Sequence, residues 1–183
     1  MKKVLKSTAL IALIFFGFNL QDSKAQGFEP GYGFKQVDFG VGFSNWGVPV
    51  YGGLDFGVSD KITIGPRISY RRHGNDYRYL GTNYGYHYNI FNLGFRGDYH
   101  YGSHISGLPS ELDLYGGLTV GATIWSDDYD NNNGNDPDFE DSGALVKVQA
   151  GARWYFHDRW SANAEVYSGN RFSGLDFGLS YSF

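Results

Sequence analysis

From Val37 onward the chain alternates between apolar and polar positions, in runs broken by clusters of Gly, Asn, Asp and Ser. A period of two belongs to a strand with two unlike faces, because successive side chains point to opposite sides. Val37, Phe39, Val41 and Phe43 alternate with Asp38, Gly40 and Gly42. Leu54, Phe56 and Val58 form a second apolar face, and Ile62, Ile64, Ile68 and Tyr70 a third. Phe91, Leu93, Phe95, Tyr99 and Tyr101 give the fourth, and Leu112, Leu114, Leu118, Val120, Ala122 and Ile124 the fifth. The sixth runs from Val146 to Phe156 and the seventh from Trp160 to Val166. The eighth sets Leu175, Phe177, Leu179, Tyr181 and Phe183 against Asp176, Gly178, Ser180 and Ser182. Two places fit less well. Pro66 interrupts the third run and predicts a bulge or a lost ladder bond. At Tyr86–Ile90 the parity is muddled.

The connections differ in character. Ser59–Lys61 and His157–Arg159 read as tight turns, and Gly102–Glu111 as a longer turn containing Pro109. His73–Gly85 and Ser126–Gly143 read as long polar loops. In an up-and-down arrangement both long loops are odd-numbered connections and share one end. Two of the three even connections are tight and lie at the other end. Short turns on one side and long loops on the other are expected of an antiparallel barrel that spans an outer membrane.

Alternation alone does not say which face is inside. Three features place the apolar parity outward, against lipid. The polar parity is rich in glycine, including Gly40, Gly53, Gly65, Gly94, Gly117, Gly151 and Gly178. Glycine weakens a strand, but in a narrow eight-stranded barrel it leaves room for long side chains in the lumen. That parity also mixes charges: Arg67, Arg71, Arg96, Lys147 and Arg153 with Asp38, Asp55, Asp98, Asp113, Glu165 and Asp176. Such a set suits a buried network of paired ions, since an unpaired buried charge is costly. Arg153 and Glu165 are expected to be diagonal neighbours across the sixth and seventh strands, within pairing reach. Finally, Tyr99, Tyr101, Trp154, Phe156, Trp160, Tyr181 and Phe183 gather at one rim on the apolar parity, as an interfacial girdle does. Tyr70 suits the opposite rim, whereas Trp46 and Trp125 fall off parity.

The leader sets the compartment. Lys2, Lys3 and Lys6 precede the apolar stretch Ala9–Leu20, and Ser23 and Ala25 are small residues ahead of Gln26. Residues 1–25 therefore read as a signal peptide, too short in its apolar part to span a bilayer, and 26–183 as the barrel domain. The whole chain carries a net charge of −4, and losing a basic leader makes the remainder more acidic. An acidic exported protein is a poor nucleic-acid binder. The chain has no Cys, which excludes disulfides, a cysteine-ligated metal and an N-terminal lipid anchor on cysteine.

The final "LSYSF", with Tyr181 and Phe183, resembles the C-terminal signal of bacterial outer-membrane proteins. With the leader, the eight runs and the loop asymmetry, Lys35–Phe183 resembles the small barrels typified by OmpX and the OmpA membrane domain. The resemblance implies an all-β, eight-stranded antiparallel up-and-down transmembrane β-barrel in a Gram-negative outer membrane. It implies contact with outer-membrane lipid and lipopolysaccharide, and recognition of Tyr181 and Phe183 by the outer-membrane assembly machinery. The expected role is structural, adhesive or surface-interacting through the outer loops, with the external ligand unspecified. The alternatives are an outer-membrane lipid-modifying enzyme and a small-molecule passage barrel resembling OmpW. The latter needs an apolar lumen, and the polar parity carries few apolar residues.

The enzyme alternative needs a histidine and a hydroxyl at the outer rim. Of His73, His87, His100, His104 and His157, His104 lies close to Ser106 but on an inner turn, while His73 and His87, on the outer side, have no serine beside either. All five read as ordinary loop and rim histidines, so neither catalysis nor a cofactor is expected. The loop Ser126–Gly143 is rich in carboxylates, with Asp128, Asp130, Asp136 and Asp138 as candidate calcium ligands or bridges to lipopolysaccharide phosphates. Its spacing misses an EF-hand, because Gly134 falls one place late, and a solvated loop is the preferred reading. The basic, tyrosine-rich Tyr70–Tyr88 suits either anionic headgroups or a plain aromatic rim.

Overall fold

The computed structural model describes residues 28–79, 82–128 and 142–183, by backbone alone at 75–79, 82–87 and 127–128. The eight strands are β1 (Lys35–Ser44), β2 (Val50–Ser59), β3 (Ile62–Tyr79), β4 (Thr82–His100), β5 (Leu112–Asp128), β6 (Gly143–His157), β7 (Trp160–Gly169) and β8 (Ser173–Ser182). Each pairs antiparallel with the next, and β8 returns to β1 from Gln36↔Ser182 to Ser44↔Gly174, so the sheet is a closed barrel. Closure leaves no open edge. The signal-peptide segment 1–25 lies outside the described residues.

The polarity is inside out. Phe39, Val41, Phe43, Leu93, Phe95, Val120, Val148, Leu175 and Phe177 are exposed on the outer wall. Asp38, Asp55, Arg96, Asp98, Asp113 and Arg153 are buried within it. Glycines make that interior possible. Tyr51, Tyr115 and Tyr167 stand directly across from Gly40, Gly151 and Gly174 on neighbouring strands. A Cβ on any of those three glycines would run into the phenol oxygen opposite. Each tyrosine thus lies flat over a glycine and fills lumen space that two ordinary side chains would contest.

One expectation is corrected and two are made specific. The third connection is not a loop over His73–Gly85: β3 and β4 stay paired out to Tyr79↔Thr82. Tyr86–Ile90 is ordinary strand whose inward residues, Tyr88 and Ile90, are apolar and buried. Pro66 produces no bulge. Recorded partners pass from Gly53↔Arg67 to Phe56↔Ile64 in unchanged register, so proline interrupts the β2–β3 ladder without shifting it. The register shift falls at Gly57/Ser59, beside the tight turn.

The end bearing the short turns is closed by chain. Residues ahead of β1 run back against β2, with the Gly57 amide donating to the Phe34 carbonyl at 2.9 Å. Phe28 stacks on Tyr155 with ring centroids 4.7 Å apart and covers His100 at 5.9 Å. The girdle surrounds this end: Trp160 packs on Tyr181, and Tyr181 meets Phe183 edge to face at 5.4 Å. The Phe183 amide also donates to the Lys35 carbonyl, which extends the β1–β8 seam to the last residue.

Candidate functional site

The lumen contains two ion clusters with a tyrosine between them. Near the short-turn end, Arg153 from β6 serves three acids from three strands. Its guanidinium contacts Asp55, Asp38 at 3.4 Å and Asp113 at 3.5 Å. Asp38 also accepts from Gln36 at 2.8 Å, and Gln36 accepts from the Tyr155 hydroxyl. Asp113 holds His100 Nδ1 at 2.8 Å, and the other ring nitrogen lies 3.0 Å from Thr63 Oγ1.

Nearer the long-loop end the stoichiometry is reversed, because one acid serves three cations. Glu165 meets Arg96 at 2.9 Å and both Arg67 and Lys147 at 3.7 Å. Arg96 also pairs with Asp98, and Arg67 with Asp176 at 2.9 Å. Tyr115 separates the two clusters. Its hydroxyl donates to Glu165, while the Arg153 guanidinium lies over its ring at 4.5 Å. Arg153 and Glu165 are diagonal on the β6–β7 ladder, with Arg153↔Asn163 and Gly151↔Glu165. They do not pair with each other as the sequence suggested, because the Tyr115 ring stands between their charges and each finds closer partners across the lumen.

Arg71 differs from the other lumen cations. Among the described residues it has no carboxylate partner. It donates to Ser44 Oγ at 2.7 Å and stacks over the Phe172 ring at 4.1 Å. A cavity of about 30 Å³ beside Arg67, Arg71, Lys147, Tyr167 and Asp176 has room for one water. Above it the mouth is apolar. Tyr88, Ile90, Leu145, Tyr167 and Phe172 cluster there, with Trp46 and Trp125 packed against them at 5.3 Å from each other. This aromatic mouth was missed in the sequence because Trp46 and Trp125 sit off the apolar parity. That misfit was itself the signal, since an aromatic on the inward parity of a barrel fills the lumen.

His100 ends β4 at the short-turn end, near the rim as expected, but it faces the lumen and is fully buried there. Thr63, His100 and Asp113 have the connectivity of a hydroxyl nucleophile, a base and an orienting acid. All three are 0 % exposed, and Phe28 lies over the histidine, so no substrate path reaches the hydroxyl. Of the other histidines, His104 contacts Tyr99 and Lys61 at the short-turn end, and His73 packs on Trp46. The side chain of His87 lies outside the described residues. So do Asp130, Asp136 and Asp138 and the side chain of Asp128, the calcium candidates. No cluster of His, Cys, Asp and Glu among the described residues is arranged to hold a metal ion.

No protein-family model and no curated protein matches this sequence. Solved structures do match its shape. The outer membrane protein OprG of Pseudomonas aeruginosa superposes with a TM-score of 0.63 at 13% identity, over 87% of this chain and 99% of that one. The N-terminal β-barrel domain of OprF from the same organism gives 0.56 at 15% identity, over 84% and 99%. Ail, the attachment invasion locus protein of Yersinia pestis, solved with the heparin analogue sucrose octasulfate, gives 0.55 at 12% identity, over 83% and 99%. In strand number, pairing and closure, the chain has the fold of the small eight-stranded outer-membrane β-barrels.

Proposed function

We propose that this chain is an integral outer-membrane barrel with a sealed lumen, acting as a structural or surface-interaction protein through its long-loop end. One observation carries the reading: the wall is apolar outside while a charged, cross-paired network fills the inside. In water that arrangement would expose the larger hydrophobic face and gain nothing; in lipid it satisfies both faces. Transport is opposed by the ion clusters, by Phe28 at one end and by the aromatic mouth at the other. The long β3–β4 hairpin projects past the apolar band and supplies contact surface. That Ail, a barrel of the same fold, holds a sulfated sugar analogue is in keeping with a surface-contact role.

On this reading residues 1–25 direct export, the protein fractionates with outer membranes, and Tyr181 and Phe183 guide assembly. Purified protein in planar bilayers is expected to show no large steady conductance; stable open channels would refute the seal. Deleting Phe183 removes a girdle aromatic that is 72% exposed and one hydrogen bond at the very end of the β1–β8 seam. Insertion in cells should therefore fall severalfold while the stability of refolded protein barely changes. Equal insertion of the truncated chain would remove its role as a signal.

A further inference from the structure

The outer wall has a gap. Across β1–β5 one outward row reads Phe39, Gly52, Ile68, Leu93 and Ala122 by direct register. Gly52 stands where its neighbours carry large apolar side chains. The row above it is Val50, Tyr70 and Phe91. Gly52, Ile68 and Leu93 of the first row and Val50, Tyr70 and Phe91 of the second line a hollow of about 490 Å³ on the outside of the barrel, open to the surroundings and mostly apolar. A Cβ on Gly52 would meet only the Asp38 carbonyl, at 3.8 Å, so the backbone does not require glycine here. Substitution is sterically free, and the unfilled space is a property of the surface.

Arg72 stands directly above the hollow. It follows Tyr70 on the outward parity of β3, is exposed, and has no side-chain partner among the described residues. It sits ten residues above Ile62, at the short-turn end. That is about 33 Å along a strand at ~3.3 Å per residue. With a tilt of roughly 35–45° the height becomes about 25 Å, the thickness of the apolar band of such barrels. Tyr70 is then an interfacial anchor, its hydroxyl 2.8 Å from Asn89. Arg72 lies at headgroup level.

We infer that the Gly52 hollow and Arg72 form a binding site for a phosphorylated, acylated glycolipid of the outer leaflet, with one acyl chain in the groove and a phosphate on the guanidinium. The inference rests on the membrane orientation proposed above. A guanidinium matches a phosphate with two parallel hydrogen bonds. The phosphate of a zwitterionic phospholipid is already neutralised by its own ammonium, whereas that of lipid A carries no internal cation. The charge of Arg72 therefore favours the glycolipid over a zwitterionic phospholipid, and the hollow holds its tail.

The test uses the full-length protein in nanodiscs containing trace purified lipid A, with lipid retained after detergent extraction read by native mass spectrometry. Wild type should retain lipid A, and Gly52→Leu, which fills the hollow, and Arg72→Ala should each lose it at least tenfold. Gly116→Leu, the same change on the outward parity of β5, and Arg159→Ala at the opposite end should retain it. Equal retention by Gly52→Leu and Arg72→Ala, or phosphatidylethanolamine or phosphatidylglycerol held as firmly as lipid A, overturns the inference. A wild type that inserts yet holds no lipid A refutes the site alone. One that does not insert refutes the membrane reading itself.

Discussion

The two halves of the lumen address the same difficulty in opposite ways. At the short-turn end one cation, Arg153, holds Asp38, Asp55 and Asp113. At the long-loop end one acid, Glu165, holds Arg67, Arg96 and Lys147, and Arg71 rests on a hydroxyl and an aromatic face, with no ion-pair partner among the described residues. Neither half is neutral by itself. The lumen as a whole holds one carboxylate more than it has Arg and Lys, so charge comes near balance only over both halves together, and the residue that bridges the two clusters is a tyrosine, not an ion. The lesson is that local pairing along a strand predicts little in a narrow barrel. The nearest opposite charge lies across the lumen, on a strand far away in sequence.

This contrast orders the expected mutational effects. Arg153→Ala leaves three buried carboxylates without their common cation and should cost about 3–5 kcal/mol in urea unfolding from lipid vesicles. Adding Asp55→Asn should recover part of that loss, and strictly additive costs would show that the two residues do not interact. Glu165→Gln keeps the shape but removes the charge shared by three cations. It should cost about 2–3 kcal/mol, because charge-assisted bonds are replaced by weaker neutral ones. Gly151→Ala sets a methyl group against the Tyr115 ring and should cost about 1–3 kcal/mol through overpacking. Arg71→Ala strands no paired acid and should cost only about 1 kcal/mol. An Arg71→Ala loss equal to that of Arg153→Ala would break the distinction between the halves.

Within the apolar band the fold was legible in the sequence, because lipid outside and ions inside impose opposite demands on alternate residues. Val37–Phe43 and Leu175–Phe183 show this plainly, and both became strands at the β1–β8 seam. Beyond the band the signal fades. His73–Tyr79 and Thr82–Tyr88 are strand, and the backbone ladder persists there although the period-two pattern has gone. The inward parity of the charged set was legible too, since Arg96 and Asp113 could face nowhere else. Their partners were not, because pairing across a lumen depends on strand tilt and on the position of Tyr115. The aromatic mouth was hidden for a different reason. Trp46 and Trp125 follow the lumen parity rather than the wall parity, and an apolar residue in the lumen looks like a break in the pattern.

The β1–β8 seam also constrains the order of events in time. Gln36, near the start of β1, bonds Ser182, 146 positions later, and Arg153 reaches Asp38 across 115. Such contacts reward the chain only after a large loop has closed, so folding dominated by them is slow. Until β8 arrives, β1 has one unpaired edge and the lumen across which Arg153 of β6 meets Asp38 is not closed. An incomplete chain would offer an apolar ribbon with open hydrogen bonds, a form prone to aggregation. The finished barrel is therefore made late and as a whole, and whatever handles the chain beforehand must hold it unfolded until its last strand is in hand.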